Sequence, residues 1–165
     1  KAYLRSQRRA NTDPLTGAHN RRYILDFIAA QLIGKQQNFS VSILDIDHFK
    51  QVNDQYGHDI GDQALIAFSA LLTEQLADTE YQFARFGGEE FIVVMPNLTL
   101  AQGHDFIGNL CICLKSLSLT DKKITLTSSA GVAQMQPGLA LNTLLKIADT
   151  NLYHAKNTGR DKVCS

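Results

Sequence analysis

Two glycines followed at once by two glutamates, Gly87-Gly88-Glu89-Glu90, divide two short apolar segments, 81–86 and 91–95. Both segments read as strands, and so short a glycine-led connection joins them as a hairpin with acidic residues at its tip. Paired glycines permit positive φ and close backbone approach. Two glutamates set right after them place like charges side by side, which a structural turn has no reason to do. The alternative reading is a merely solvated acidic turn.

The rest of the chain alternates helix-period and strand-period blocks. Ile24, Phe27, Ile28 and Leu32 recur at three and four residues and predict an amphipathic helix over about 20–36. The run Phe39-Ser40-Val41-Ser42-Ile43-Leu44-Asp45-Ile46-Asp47 alternates at first and is β-branched, so it reads as a buried strand ending on carboxylates. A helical turn over 48–55 follows. Gly57 and Gly61 are expected to break the chain before a long helix with Leu65, Phe68, Leu72 and Leu76 on one face. Further on, 99–117 and 140–156 read as helices, 122–128 and 130–135 as strands, and 162–164 as an edge strand. From the strand at 39–47 onward the order is β-α-α-β-β-α-β-β-α-β. That predicts an α+β fold, a central mixed sheet flanked by helices with a ferredoxin-like, split-βαβ core.

A length of 165 residues fits one domain. With 44% hydrophobic and 19% charged residues the chain has globular usage, too apolar for a disordered tail. Sixteen Lys and Arg balance sixteen Asp and Glu. Zero net charge argues against bulk electrostatic binding to nucleic acid or to an anionic membrane, but not against a small anion held by a few local cations. Three cysteines are an odd number. Cys111 and Cys113 would point about 200° apart on a helix and cannot pair, so reduced core thiols and a cytoplasmic setting are expected. No apolar run reaches the roughly 18 residues of a membrane span. Residues 1–12 are basic and polar and read as the end of an upstream connecting helix, leaving 13–165 as the domain proper. The chain opens Lys1-Ala2-Tyr3-Leu4 without a Met, and a longer parent protein is expected.

Several residues carry the chemistry. Buried carboxylates are costly unless paired or bound to metal. Of Asp45 and Asp47, only one is expected to turn inward with Ile43; Asp47 has the alternative of capping the helix that follows, whereas Asp45 does not. Glu89 and Glu90 facing a carboxylate on a neighbouring strand make an all-oxygen site suited to Mg²⁺ or Mn²⁺, with phosphate oxygens completing the shell. Asn53-Asp54 and Gly57-His58-Asp59-Ile60-Gly61-Asp62 place polar groups beside the strand end. A carboxylate can accept from guanine N1–H and the 2-amino group, and an Asn amide also suits that edge; each residue could equally be a cap or an Asx-turn. Lys156 and Arg160, four apart at the end of the last helix, either complement the helix C-terminus or neutralise a triphosphate.

Five motifs in order resemble the GGDEF family of bacterial diguanylate cyclases, over about residues 10–165. They are Asp13-x-Leu15-Thr16-Gly17-x-x-Asn20-Arg21-Arg22, Asp45-Ile46-Asp47-x-Phe49-Lys50-x-x-Asn53-Asp54, Gly57-His58-x-x-Gly61-Asp62, Arg85-Phe86-Gly87-Gly88-Glu89-Glu90-Phe91, and the tail Ala148-Asp149-x-x-Leu152-Tyr153-x-Ala155-Lys156-x-x-Gly159-Arg160 with the Gly131-Val132-Ala133 strand. The resemblance implies a fold like the palm of polymerases and adenylyl cyclases. It implies that Asp45, the Ile46 carbonyl and Glu89 hold a divalent metal, that Glu90 completes a second metal position, and that Glu89 is the base for the ribose 3′-hydroxyl. Asn53 and Asp62 would read guanine, His58 would lie near the substrate, and Lys50, Lys156 and Arg160 would neutralise phosphates. The implied reaction joins two GTP into cyclic di-GMP and releases two pyrophosphates, in a homodimer governed by an upstream sensor domain.

Two departures from the family pattern stand out. The product-inhibition motif, Arg-x-x-Asp, falls on Asp78-Thr79-Glu80-Tyr81, so the arginine is replaced by a carboxylate and the aspartate by Tyr81. No inhibitory site of that kind is expected. Ala18 stands where the family usually has Leu. Two rival readings remain: a non-catalytic module that binds GTP or cyclic di-GMP, disfavoured by the intact Asp45, Glu89 and Glu90, and an enzyme acting on another nucleotide, disfavoured by Asn53 and Asp62.

Overall fold

The computed structural model describes residues 10–34, 38–117, 119 and 124–165. A six-stranded sheet runs in the order β1-β3-β4-β2-β5-β6. Its strands are β1 (His19–Asn20), β2 (Phe39–Ile46), β3 (Gln82–Gly87), β4 (Glu90–Pro96), β5 (Ser128–Gln134) and β6 (Val163–Cys164). β2 is antiparallel to both β4 and β5, and β3 is antiparallel to β4. The short outer strands β1 and β6 pair in parallel with β3 and β5. The sheet is therefore mixed, as the block order predicts. All eight residues of β2 are buried, as befits its central place and its two paired edges.

Among the described residues five helices flank the sheet: α1 (Arg21–Ile33), α2 (Phe49–Tyr56), α3 (His58–Leu76), α4 (Leu100–Lys115) and α5 (Leu141–Asn157). Strand alternation sends Leu44 and Ile46 to one face and Val41 and Ile43 to the other. On the first face Leu65, Phe68 and Leu72 of α3, with Leu110 and Leu114 of α4, close over Leu44, Phe91 and Val93. On the second, Ile24 and Ile28 of α1 and Leu144, Ala148 and Leu152 of α5 close over Val41, Ile43, Ile92 and Val94. Helix ends are set locally. Asn20 caps α1 by accepting from Tyr23 N–H at 3.1 Å, and Thr99 with Gln102 forms a capping box on α4.

Three expectations need correction. Gly61 does not break the chain: α3 starts at His58, and Gly61 is buried inside it. A Cβ at that position would stand 1.8 Å from Asn53 Oδ1, so the glycine lets α2 and α3 approach. The break falls at Gly57 alone, at φ 91°. Second, the strand expected over 122–128 does not extend along 124–127. Ile124 makes only an isolated bridge to Leu119, and the ladder begins at Ser128 and continues unbroken through residue 129; residues 122 and 123 lie outside the described residues. The side-chain hydroxyls of Thr127 and Ser129 bind Asp47. Third, both aspartates of β2 and its following turn are buried, Asp45 with 6% and Asp47 with 5% of their surface exposed. Residues two apart share a strand face, and β2 ends at Ile46, so Asp47 turns under the start of β5.

Among the described residues no helix is long and apolar enough to cross a membrane. The thiols of Cys111, Cys113 and Cys164 are free. Cys111 is buried on α4, and burial pushes its thiol up to about 11. Of the expected upstream helix, residues 1–9 lie outside the described residues, while Ala10 and Asn11 are helical.

Candidate active site

The sheet brings carboxylates together by register. Asp45, at the end of β2, stands opposite Glu90 on β4 and opposite Ser129 on β5. Directly opposed residues of antiparallel strands carry their side chains on one face, about 5 Å apart at Cβ. That face is the one α5 covers, and Lys156 from α5 reaches Asp45 Oδ2 at 2.8 Å. Burial still pushes the Asp45 carboxyl above the ordinary range; Lys156 opposes this, and the charges of Glu89 and Asp47 add to it. Glu90 is half-buried and is raised for the same first reason, burial, with Asp45, Asp149 and Glu89 adding to it and Lys156 opposing. Among the described residues Lys156 is the one cation within ion-pair distance of Asp45 or Glu90.

The hairpin tip is fixed by a residue of its own strand. Gly88 takes φ 50°, and the ladder shifts register between Arg85 and Gly87. Of the two glycines, Gly88 is the one that uses positive φ. Arg85 Nε donates to Gly88 O at 2.9 Å, and its other arm binds Asp13 at 3.1 Å. Burial opposes ionisation of Asp13, but hydrogen bonds from Thr16 and the Arg85 guanidinium outweigh it and hold the carboxyl below the usual range. The tip is also tied to β2, where Ile46 N–H donates to Glu89 O at 3.4 Å. Glu89 is therefore a tip residue against the end of β2, whereas Glu90 is already inside the ladder.

Asp47 does not cap α2. The residue before α2 is His48, at φ 56° and without a side-chain cap. Asp47 instead accepts from Ser129 Oγ at 2.6 Å, Thr127 Oγ1 at 2.7 Å and Asp161 N–H at 3.0 Å.

The remaining candidates lie on α2, on α3 and in the turn after α5. Lys50 is exposed on α2, and His58 and Asp62 are exposed on the first turns of α3. Asn53 packs on Gly61, next to Asp62, and its Oδ1 is buried without a hydrogen-bond partner. Such an acceptor suits an incoming N–H donor. Arg160 is exposed in the turn after α5, at φ 60°. Beside the carboxylates a cleft of about 510 Å³ opens between α1 and α5, lined by Arg21, Phe86, Glu90, Lys146 and Asp149 among others. Arg21 lies over the Phe86 ring at 4.2 Å.

Register brings Asp45 and Glu90 together, with Lys156 on Asp45 and Glu89 at the adjoining tip. Asn53 packs on Gly61 at the α2–α3 contact, and the exposed Asp62 is the next residue along α3. Among the described residues no three His, Cys, Asp or Glu side chains form a ready-made metal cluster. The donor chemistry nonetheless fits a hard cation, since the buried carboxylates outnumber their counter-charge and supply only oxygen. Sequence reasoning assigned no task to Asp149, Arg85 or the hydroxyls of Thr127 and Ser129. Asp149 and Lys156, two helical turns apart, could have been placed on one face; the Asp13–Arg85 and Asp47–Thr127 contacts span 72 and 80 residues and left no local signal. At the positions of the absent inhibitory motif, Asp78 is exposed and Tyr81 packs edge-on against Phe106 at 5.1 Å.

Fold and site together define a palm-like α+β domain with an acidic hairpin at its centre. The family description "Diguanylate cyclase, GGDEF domain" matches residues 10–162, and the chain belongs to that family. It is 33% identical to diguanylate cyclase DgcP of Pseudomonas aeruginosa, over 98% of this chain and 25% of that protein. It is 36% identical to diguanylate cyclase VdcA of Vibrio cholerae, over 95% of this chain and 47% of the relative. The chain thus spans between a quarter and about half of these relatives. The crystal structure of the coiled coil and GGDEF domain of DgcB from Caulobacter crescentus, in complex with c-di-GMP, superposes with a TM-score of 0.91 at 27% identity, covering 99% of this chain and 89% of that one. Diguanylate cyclase SiaD of Pseudomonas aeruginosa, in complex with its activator SiaC, gives 0.89 at 30% identity, covering 98% and 64%.

Proposed function

We propose that residues 13–165 are a catalytic domain that condenses two GTP into cyclic di-GMP and two pyrophosphates, with 1–12 as its upstream connection. The observation that carries this reading is the facing pair Asp45 and Glu90 with Lys156 on Asp45, at the tip where Glu89 meets β2. Asp45, the Ile46 carbonyl, Glu89 and Glu90 would hold Mg²⁺ or Mn²⁺, which when bound supplies charge neutralisation at the phosphoryl oxygens. Glu89 takes the proton of the ribose 3′-hydroxyl as that oxygen attacks the α-phosphorus of the other nucleotide and pyrophosphate leaves. Asn53 offers its unpartnered Oδ1, and Asp62 a carboxylate, to the donor edge of guanine, with His58 nearby. Lys50, Lys156 and Arg160 neutralise the phosphates; Lys156 must then exchange part of its contact with Asp45 for a phosphate.

One domain holds one GTP, so two domains must face each other, and the active form is a transient homodimer. The upstream sensor of the parent protein sets how often they meet, and complexes of relatives with c-di-GMP and with an activator support this regulated scheme. GTP as substrate and free thiols suit a cytoplasmic setting. Asp45→Asn and Glu89→Gln keep shape but remove charge, and each is expected to lower cyclic di-GMP synthesis by orders of magnitude while circular dichroism stays unchanged. Near-normal turnover by Glu89→Gln would overturn the assignment.

A further inference from the structure

Asp47 is buried and fully used, yet none of the proposed chemistry employs it. Its carboxylate sits where three distant pieces of chain converge: the end of β2, the segment 127–129 entering β5, and the turn after α5. Ser129 Oγ donates to Oδ1 at 2.6 Å, while Thr127 Oγ1 and the backbone N–H of Asp161 both donate to Oδ2, at 2.7 and 3.0 Å. Asp47 N–H also donates to Thr127 O at 2.9 Å, fixing the aspartate's own backbone.

What this carboxylate holds is a strained turn. Gly159, Arg160 and Asp161 take φ of 116°, 60° and 50° in succession, and two of the three have side chains that disfavour that region. Arg160 N–H is tied back to Ala155 O at 3.0 Å, and the Asp161 side chain pairs with Lys115 at 2.7 Å on the solvent side. The Asp161 N–H is thus the turn's inward anchor, one peptide beyond Arg160 and five residues beyond Lys156. A charge-assisted bond from a buried acceptor resists opening more than the exposed Lys115 pair does.

We propose that Asp47 is a positioning residue: its buried carboxylate holds the turn after α5 in its left-handed course and so presents Arg160 to the nucleotide phosphates at the end of β2. The claim rests on the phosphate role proposed for Arg160, and it assigns the second aspartate of the Asp45-Ile46-Asp47 motif a task different from the first. Asp45 serves the charge of the reacting centre, whereas Asp47 acts at a distance through a backbone amide.

The test has two arms that fail separately. The first is amide hydrogen exchange in the nucleotide-free protein. Asp47→Asn, which loses the charge and sets an amide N–H₂ against donors, is expected to speed exchange at Asp161 at least tenfold, while amides of β2 and β4 stay protected. Thr127→Val and Ser129→Ala keep the carboxylate but loosen it, and are expected to speed Asp161 exchange by a smaller factor; they carry the test if Asp47→Asn does not fold. Unchanged exchange at Asp161 in these variants overturns the proposal. The second arm is steady-state kinetics with GTP. Asp47→Asn is expected to raise KM about as much as Arg160→Ala does, with kcat within about threefold, and to add less than twofold to KM when Arg160 is already Ala. Additive effects, or a fall in kcat at constant KM, would place Asp47 in the reacting centre and overturn the positioning role. Absence of turnover in the wild type would defeat the proposed function and leave the exchange result standing.

Discussion

Glu90 shows how one residue can serve a site at the expense of the fold. Burial, with Asp45, Asp149 and Glu89 around it, raises its carboxyl above the ordinary range against the pull of Lys156. The folded chain therefore binds this proton more tightly than the unfolded chain does. Its contribution to stability is present below the unfolded carboxylate range and is lost as pH rises through the raised value. At neutral pH an ionised Glu90 is a burden in the metal-free protein. Glu90→Gln is accordingly expected to raise Tm at neutral pH in the presence of a chelator. The difference should close as pH falls through the carboxylate range, where the wild type becomes neutral too. A lower Tm for the variant at neutral pH would mean that the Lys156 attraction outweighs burial. The acidic hairpin was legible as a site because adjacent glutamates after glycines have no structural purpose. The direction of each carboxylate was not: only the opposition of Asp45 to Glu90, across 45 residues of sequence, sorts Glu90 into the ladder and leaves Glu89 at the tip.

At the scale of elements, α5 is placed by a close backbone contact. A Cβ on Gly131 of β5 would stand 2.0 Å from Ala148 O and 2.2 Å from Leu152 N, so the helix rests directly on the strand. Neither neighbour is a movable side-chain end. Gly131→Ala must lift α5, and overpacking of this kind costs about 1–3 kcal/mol or more. The expected result is a Tm lower by several degrees together with a reduced GTP affinity, because Lys156 rides on α5. An unchanged Tm would show that the helix moves freely over β5. Helices and central strands were readable because their apolar periods are long, as in Leu65, Phe68, Leu72 and Leu76. Two boundaries were not. Gly61 resembles a breaker in sequence, yet its missing side chain admits Asn53, and the strand expected over 122–128 starts only at Ser128, between Thr127 and Ser129, whose hydroxyls serve Asp47. In both places a tertiary contact overrides a local signal.

For the whole molecule, the departure from the family's Arg-x-x-Asp pattern at Asp78-Thr79-Glu80-Tyr81 leads to a prediction about product inhibition. Asp78 carries the wrong charge for a phosphate, and Tyr81 is engaged with Phe106. Losing a charge-assisted contact costs about 1.5–3 kcal/mol, roughly a tenfold or greater loss of affinity. Titrated cyclic di-GMP is expected to inhibit only weakly and competitively with GTP; tight non-competitive inhibition would reveal a second product site elsewhere on the surface. The need for two facing domains was implied by the family resemblance, and a surface that carries it has no periodic signature in a single chain.

The central claim is that the Asp45, Glu89 and Glu90 centre makes cyclic di-GMP when two domains meet. Incubating the protein with GTP and Mg²⁺ over a hundredfold range of protein concentration, and separating the nucleotides, tests it most directly. The account predicts one cyclic di-GMP for every two pyrophosphates released, at a rate per molecule that rises with protein concentration. GTP that binds and is never converted at any concentration would contradict it.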